Sequence, residues 1–139
     1  MPLNIRNLDT SDIDAANEIL VAAFQSARSY KDDLEFYLAL VPNDWYLAEW
    51  EGTPAGLVGV VNYGPMAYVG FMGVHPTFYR KGIAKALMMH GLAKMEAAGC
   101  SIALLDASAM GEPLYRQVGF VDDGKSAQYL MDGRLVRNP

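Results

Sequence analysis

Apolar and polar positions recur along this chain with two different periods, and each change of period marks an element. "LNIRNLD" (3–9) alternates as a strand does. Thr10 or Ser11 can then cap a helix whose Ile13, Ala16, Ile19 or Leu20 and Ala23 share one side. "KDDLEFYLAL" (31–40) reads as a second short helix, stopped by Pro42. "DWYLAEWEG" and "PAGLVGVVNYG" return to strand patterns, joined at a Gly52–Pro54 turn. "AYVGFMGVHP" is a further strand, closed by His75–Pro76, and it feeds a helix that begins near Lys81. That helix carries Ile83, Leu87, His90 or Gly91 and Lys94 or Met95 at helical spacing, and Gly99 ends it. "SIALLDAS" is a nearly unbroken apolar run, of the kind buried on both faces. "EPLYRQVG" fits a short helix, with Pro113 at its start and Gly119 past its end. "FVDDG" and "AQYLMDG" suit a last hairpin.

The order is therefore β-α-α-β-β-β-α-β-α-β-β. A strand, helix and strand over 67–106 imply a parallel pair joined by a right-handed crossover, whereas hairpins give antiparallel neighbours. The fold class is α/β, with a mixed, mostly antiparallel central sheet, one parallel pair and about four flanking helices. No repeat, low-complexity tract or linker interrupts residues 1–139, which read as a single domain. The tail "RLVRNP" has the character of a linker start, so membership of a longer enzyme is kept as an alternative.

At 139 residues, with 52% hydrophobic and 19% charged side chains, the chain is globular and can bury a core. Its longest apolar run, "AGLVGVV" (55–61), falls far short of the roughly 20 residues of a membrane span. "MPLNIRNLD" lacks a signal-peptide apolar region, and the expected location is cytoplasmic, with no membrane partner. The single cysteine, Cys100, excludes an internal disulfide and suits a buried thiol. No His, Cys, Asp or Glu set has metal spacing.

A net charge of −5 argues against nucleic acid as a partner. The charge is uneven, however. No Asp or Glu occurs between Glu51 and Glu96, where Arg80, Lys81, Lys85 and Lys94 give +4, and the remaining residues carry −9. Buried strands explain part of this gap but not the basic cluster at a helix start, where the macrodipole favours acids. A strand end, a turn and a helix N-terminus form a geometry that holds phosphate. Gly82 and Ala84 let a diphosphate approach the backbone, and Arg80 and Lys81 add charge. Neither G-x-G-x-x-G nor G-x-x-x-x-G-K-[ST] is present, which weakens dinucleotide and nucleoside-triphosphate readings. An ordinary solvated basic helix start is the alternative.

"V-x-P-x-x-x-x-K-G-I-A-x-x-L" resembles the acyl-coenzyme A loop of the GNAT N-acetyltransferase superfamily, Q/R-x-x-G-x-G/A. The fit places Tyr79 at the Q/R position, followed by Arg80, Lys81, Gly82, Ile83 and Ala84. Tyr79 departs from the pattern at a position that serves the family largely through its backbone N–H. The element order is also the family's. "LLDAS…GEPLYRQVGF" (104–120) is a second match, similar to the family's fifth strand and the helix after it, with Tyr115 four residues before Gly119–Phe120.

The resemblance implies a GNAT fold with the parallel pair at the cofactor cleft. It also implies acetyl transfer from acetyl-coenzyme A, without a metal, to a primary amine of a small molecule or peptide. A catalytically silent acyl-coenzyme A sensor is the alternative. Met72, Gly73 and Val74 would line the pantetheine arm, with backbone groups of Met72 and Val74 pairing to it; a backbone N–H near Val74 would stabilise the oxyanion. Gly70 and Gly73 would leave room for the ligand. Tyr115 is the expected general acid, since a phenol holds its proton at neutral pH. Ser108 stands near a cofactor-contacting position of the family. No strand carboxylate offers a general base; Tyr68, Glu49, Glu51, backbone carbonyls, a water chain or a minority neutral amine are the alternatives. His75 suits fixing its turn better than general-base work, and His90 suits a helix surface or crevice. Phe24, Tyr30, Tyr37, Tyr46, Tyr63 and Tyr68 are the aromatic candidates for the acceptor pocket. Such aromatics also suit core or dimer surface, which leaves a homodimer open.

Overall fold

The computed structural model describes residues 2–105, 112–123 and 126–130. Strands β1 (Leu3–Asn7), β2 (Trp45–Trp50), β3 (Thr53–Asn62), β4 (Met66–Val74), β5 (Ile102–Leu105), β6 (Val121–Asp123) and β7 (Ser126–Leu130) form one sheet. Its order is β1-β2-β3-β4-β5-β7-β6. β4 and β5 pair in parallel and every other neighbouring pair is antiparallel. Helices α1 (Ile13–Phe24) and α2 (Lys31–Leu40) cover one face. Helix α3 (Ile83–Ala97) covers the other, and α4 (Glu112–Gln117) adds Leu114 at its edge. The mixed α/β sheet read from the sequence is the one observed.

Strand alternation separates two cores. Trp45, Leu47 and Leu57 point to α1 and α2, where they meet Ile13, Ala16, Ile19, Leu20, Leu34 and Leu38. Tyr46, Val58 and Val60 point to α3, against Ile83, Leu87, Met88, Leu92 and Met95. Each fully buried Leu or Ile contributes about 1.5–3 kcal/mol. Gly91 and Met95, rather than His90 and Lys94, continue the buried stripe of α3. Among the described residues no helix is long and apolar enough to cross a membrane.

Several local expectations shift. The first helix is entered through a 3-10 turn, Thr10–Asp12, capped by Asp9 rather than by Thr10 or Ser11. The Ser11 N–H donates to the Asp9 carboxylate at 2.8 Å, and the Asp9 N–H donates to Asp12 at 3.0 Å, closing a capping box. Asp12 is buried and takes two 2.8 Å bonds from the Arg6 guanidinium, which holds its carboxyl below the usual carboxylate range. The β2–β3 turn is Glu51–Gly52, both left-handed at φ 50° and 83°, so Pro54 already lies in β3. β5 is four residues long and alternates between buried and half-buried, because only one of its faces is fully covered. Cys100 is buried as expected; burial pushes its thiol pKa up, and its Sγ donates to Asn62 Oδ1 at 3.4 Å.

Candidate functional site

The site begins with one extra residue in β4. From Ala67 to Gly70 the strand pairs with β3 in one register (Ala67↔Asn62, Gly70↔Gly59); from Gly73 it pairs in another (Gly73↔Leu57, Val74↔Gly56). Phe71 and Met72 therefore both stand opposite Val58, and Phe71 adopts φ 49°. This bulge bends the strand just where its other neighbour ends. β5 pairs with β4 only from Met66 to Tyr68. Below the bulge, the His75 N–H donates to Ala55 O at 2.8 Å. Strand alternation then turns the N–H and C=O of Val74 and Met72 to the edge away from β3. Those are the two residues expected to pair with a peptide-like ligand arm.

Gly70 and Gly73 serve different ends. A Cβ on Gly70 would meet nothing nearer than the Tyr68 ring at 3.9 Å, leaving that stretch open. A Cβ on Gly73 would lie 3.3 Å from Ala23 Cβ and Leu20 Cδ2, so this glycine lets α1 sit close on the strand.

After β4 the chain turns through a 3-10 segment, Pro76–Phe78. His75 fixes this turn, its Nδ1 accepting from the Thr77 N–H at 3.2 Å. The Tyr79 N–H, the group expected to serve an anion, donates to Pro76 O at 3.2 Å. Arg80 (φ 66°) and Gly82 (φ 77°) are both left-handed, and they delay the helix by two residues from the expected start, to Ile83. The first ladder bond of α3 runs from the Ala86 N–H to Gly82 O at 3.1 Å. The N–H groups of Ile83, Ala84 and Lys85 thus precede the ladder. Gly82 gives no side-chain cap, and the first turn contains no acid. The positive end of the dipole, Arg80 and Lys85 all favour an anion here.

These pieces line one groove of about 640 Å3, whose walls include Met72, Gly73, Val74, Tyr79, Arg80, Gly82, Ile83, Ala84 and Lys85, with Leu114 and Gln117 of α4 opposite. Of the expected cofactor residues, Lys81 stands apart. Its ammonium lies 4.9 Å from the centre of the Trp50 ring, on the β2–β3 hairpin. Lys85, one turn further on, takes its place on the groove wall, as helical spacing from Lys81 would suggest. Ser108 lies outside the described residues. Tyr115 falls within α4, between the groove-lining Leu114 and Gln117.

A second cavity, about 620 Å3, adjoins the first through Phe24 and Met72, which line both. The expected acceptor residues Phe24, Tyr37, Tyr63 and Tyr68 line it, together with Trp45 and Phe71. Tyr30 is buried among the core residues and packs edge-on against Phe24 and Phe71, with ring centres 5.8 and 6.0 Å apart. Tyr46 is on the opposite face, buried under α3 with its ring 4.7 Å from that of His90. Its neighbours explain the shift of His90, whose pKa is pushed down by burial and by Lys94. Glu49 is committed to Arg6 and Asn4 on the outer strands, at 3.4 and 3.3 Å. Trp45 and Phe71 were absent from the sequence-based candidates. Gly59, set among β-branched residues, was the available signal: a Cβ there would lie 2.5 Å from the Trp45 ring.

The model of the acetyltransferase (GNAT) family matches residues 13–120. The fold superimposes on a Pyrococcus horikoshii protein provisionally named an acetyltransferase, with TM-score 0.83 and 27% identity over 88% of this chain. The present chain spans 44% of that protein's length. Ard1 of Thermoplasma volcanium gives TM-score 0.84 at 16% identity, covering 94% of this chain and 98% of Ard1. A GNAT acetyltransferase of Brucella melitensis, solved with acetyl-coenzyme A, gives 0.74 at 21% identity over 99% and 93% of the two chains. A comparison with curated proteins finds no match.

Proposed function

This chain belongs to the GNAT acetyltransferase family, and on that premise we propose that it acetylates a primary amine of a small molecule or peptide by direct attack, with Tyr115 as general acid. It is an acyltransferase, and acetyl-coenzyme A is its co-substrate. The observation that carries the reading is the single groove joining three features: the outward amides of Met72 and Val74, the left-handed turn, and the uncapped first turn of α3. A thioester on an extended, peptide-like arm with a diphosphate fits that order. The backbone of Met72 and Val74 holds the arm as an added strand would. The N–H groups of Ile83, Ala84 and Lys85, with Arg80, hold the diphosphate. When bound, the co-substrate supplies an activated acetyl group. The Val74 N–H donates to the carbonyl oxygen as that oxygen gains charge. Tyr115 gives its proton to the departing sulfur.

Tyr115→Phe separates chemistry from binding. We expect kcat to fall on the order of 10²–10⁴-fold, while coenzyme A affinity stays within about twofold. Unchanged kcat would refute the acid role. A chain that binds acetyl-coenzyme A and releases no thiol with any amine would instead be a silent acyl-coenzyme A sensor.

A further inference from the structure

We infer that Phe71 is a positioning residue for the co-substrate: three rings clamp its left-handed backbone, and that backbone sets the Met72 edge of the groove. The inference rests on the acyl-transfer reading and names what keeps its binding edge in shape. An aromatic residue at φ 49° is an outlier, because its Cβ crowds the following carbonyl oxygen. Such a conformation persists only where the surroundings over-determine it. Here they do. The Phe71 ring meets Tyr30 and Tyr37 edge-on, with ring centres 6.0 and 5.8 Å apart, and Trp45 at a 37° tilt and 5.6 Å. Tyr37 and Trp45 also pack on each other at 5.9 Å. The clamp is itself anchored. The Tyr30 N–H donates to Asn17 Oδ1 of α1 at 2.6 Å, Tyr37 lies within α2, and Trp45 opens β2 over Gly59.

The bulge converts this side-chain packing into backbone geometry. Phe71 and Met72 share one position opposite Val58, so the φ of Phe71 sets the direction in which the chain reaches Met72. An extended φ there would straighten the strand and draw the Met72 N–H and C=O off the groove. Among the described residues, Tyr37 and Phe71 line the second cavity and not the groove, whereas Met72 lines both. An effect of either ring on coenzyme A must therefore pass through the backbone of β4. A core role alone predicts something different: lost stability with coenzyme A affinity unchanged.

Calorimetric titration with coenzyme A and with pantetheine tests this in a double-mutant cycle. We expect Phe71→Ala, which keeps a Cβ and loses the clamp, to raise both Kd values about 5–30-fold. Phe71→Gly loses the same ring but takes up the left-handed backbone freely, so it should stay within about threefold of wild type. Tyr37→Leu should raise both values about 2–10-fold, while Tyr37→Phe keeps the ring and binds as wild type does. In the Phe71→Gly background, Tyr37→Leu should cost less than about twofold in affinity, although its effect on Tm persists. Where the Phe71 variants fail to fold, the Met72 amide resonance of protein isotope-labelled on methionine nitrogen decides. It should move with Tyr37→Leu and not with Tyr37→Phe. Unchanged coenzyme A affinity in Phe71→Ala, or an equal loss in Phe71→Gly, would overturn the inference and leave acyl transfer standing. So would the same loss from Tyr37→Leu in both backgrounds, or an unmoved Met72 amide. A wild-type protein that binds neither coenzyme A nor pantetheine would overturn acyl transfer and the inference with it.

Discussion

Gly82 offers the cleanest perturbation of the groove, because its environment isolates one physical variable. It sits at φ 77° and ψ 13°, where an L side chain pays a conformational cost. A Cβ there would have no heavy atom within 4 Å, so no clash contributes. The cost of a left-handed L residue is about 1–2 kcal/mol. If the turn must hold this shape to present the N–H groups of α3, that cost appears as a 5–30-fold rise in the Kd of coenzyme A. The order of substitutions should follow conformation rather than size: Asn is tolerated best, then Ala, with β-branched Val worst. Isothermal titration of Gly82→Asn, Gly82→Ala and Gly82→Val with coenzyme A reads this directly. Pantetheine, which lacks the diphosphate, serves as the control and should bind all four proteins alike. Arg80 provides an internal check at φ 66°. Arg80→Ala removes charge alone, whereas Arg80→Gly also relieves the backbone, so the glycine variant should bind coenzyme A more tightly than the alanine variant. Wild-type affinity in Gly82→Ala, equal losses for Asn and Val, or an equal loss of pantetheine binding would refute the reasoning.

Two further expectations concern the supports of the site. Gly59→Ala drives a Cβ to 2.5 Å from the Trp45 ring; overpacking of about 1–3 kcal/mol should lower Tm on the order of 5–10 °C and raise the amine KM. An unchanged Tm would mean that the Trp45 ring moves aside freely. Asp12, held below its ordinary value chiefly by the Arg6 hydrogen bonds, contributes stability that is present above about pH 4 and is lost as pH falls through its lowered folded value. Asp12→Asn should cost about 1–3 kcal/mol at pH 7, toward the lower end because Arg6 is 36% exposed. Urea midpoints from pH 7 to pH 3 should fall further for the wild type than for the variant, and parallel curves would contradict this.

How much of the molecule was legible in the chain depended on how local each determinant is. Elements with a full apolar stripe, such as α1, α2 and β3, follow from period alone, and the parallel β4–β5 pair follows from the crossover rule. "DTSD" contains four residues able to cap, and the choice of Asp9 is settled by Arg6, which grips Asp12 from a neighbouring strand. The basic turn was found by its charge and glycine spacing, but the division of labour within it was not. Lys81 turns to Trp50 because the hairpin brings that ring alongside, a contact across 31 positions that no helical period encodes. The aromatic pocket is harder still. Trp45, Phe71 and Gly59 belong to three strands and converge only once the sheet is paired. Tyr30 and Tyr46 show the converse, since aromatic character alone does not say which face of the sheet a ring joins.

The bulge at Phe71 and Met72 also makes β4 intolerant of length change in a way that other surface connections are not. The pairs on either side of it, Gly70↔Gly59 and Gly73↔Leu57, are the ones an unbroken ladder would join through a single residue, so the inserted position bends the strand without changing which amides below it face β3. Removing it would straighten β4 beside the groove, and adding another would enlarge the bulge or shift the register below it by one residue. Drift in length can therefore collect at the Glu51–Gly52 turn, whose Gly52 meets no neighbour within 4 Å, while β4 between Gly70 and Val74 keeps its count. For anyone grafting or shortening this scaffold, the indivisible unit is the stretch from the bulge to the first turn of α3.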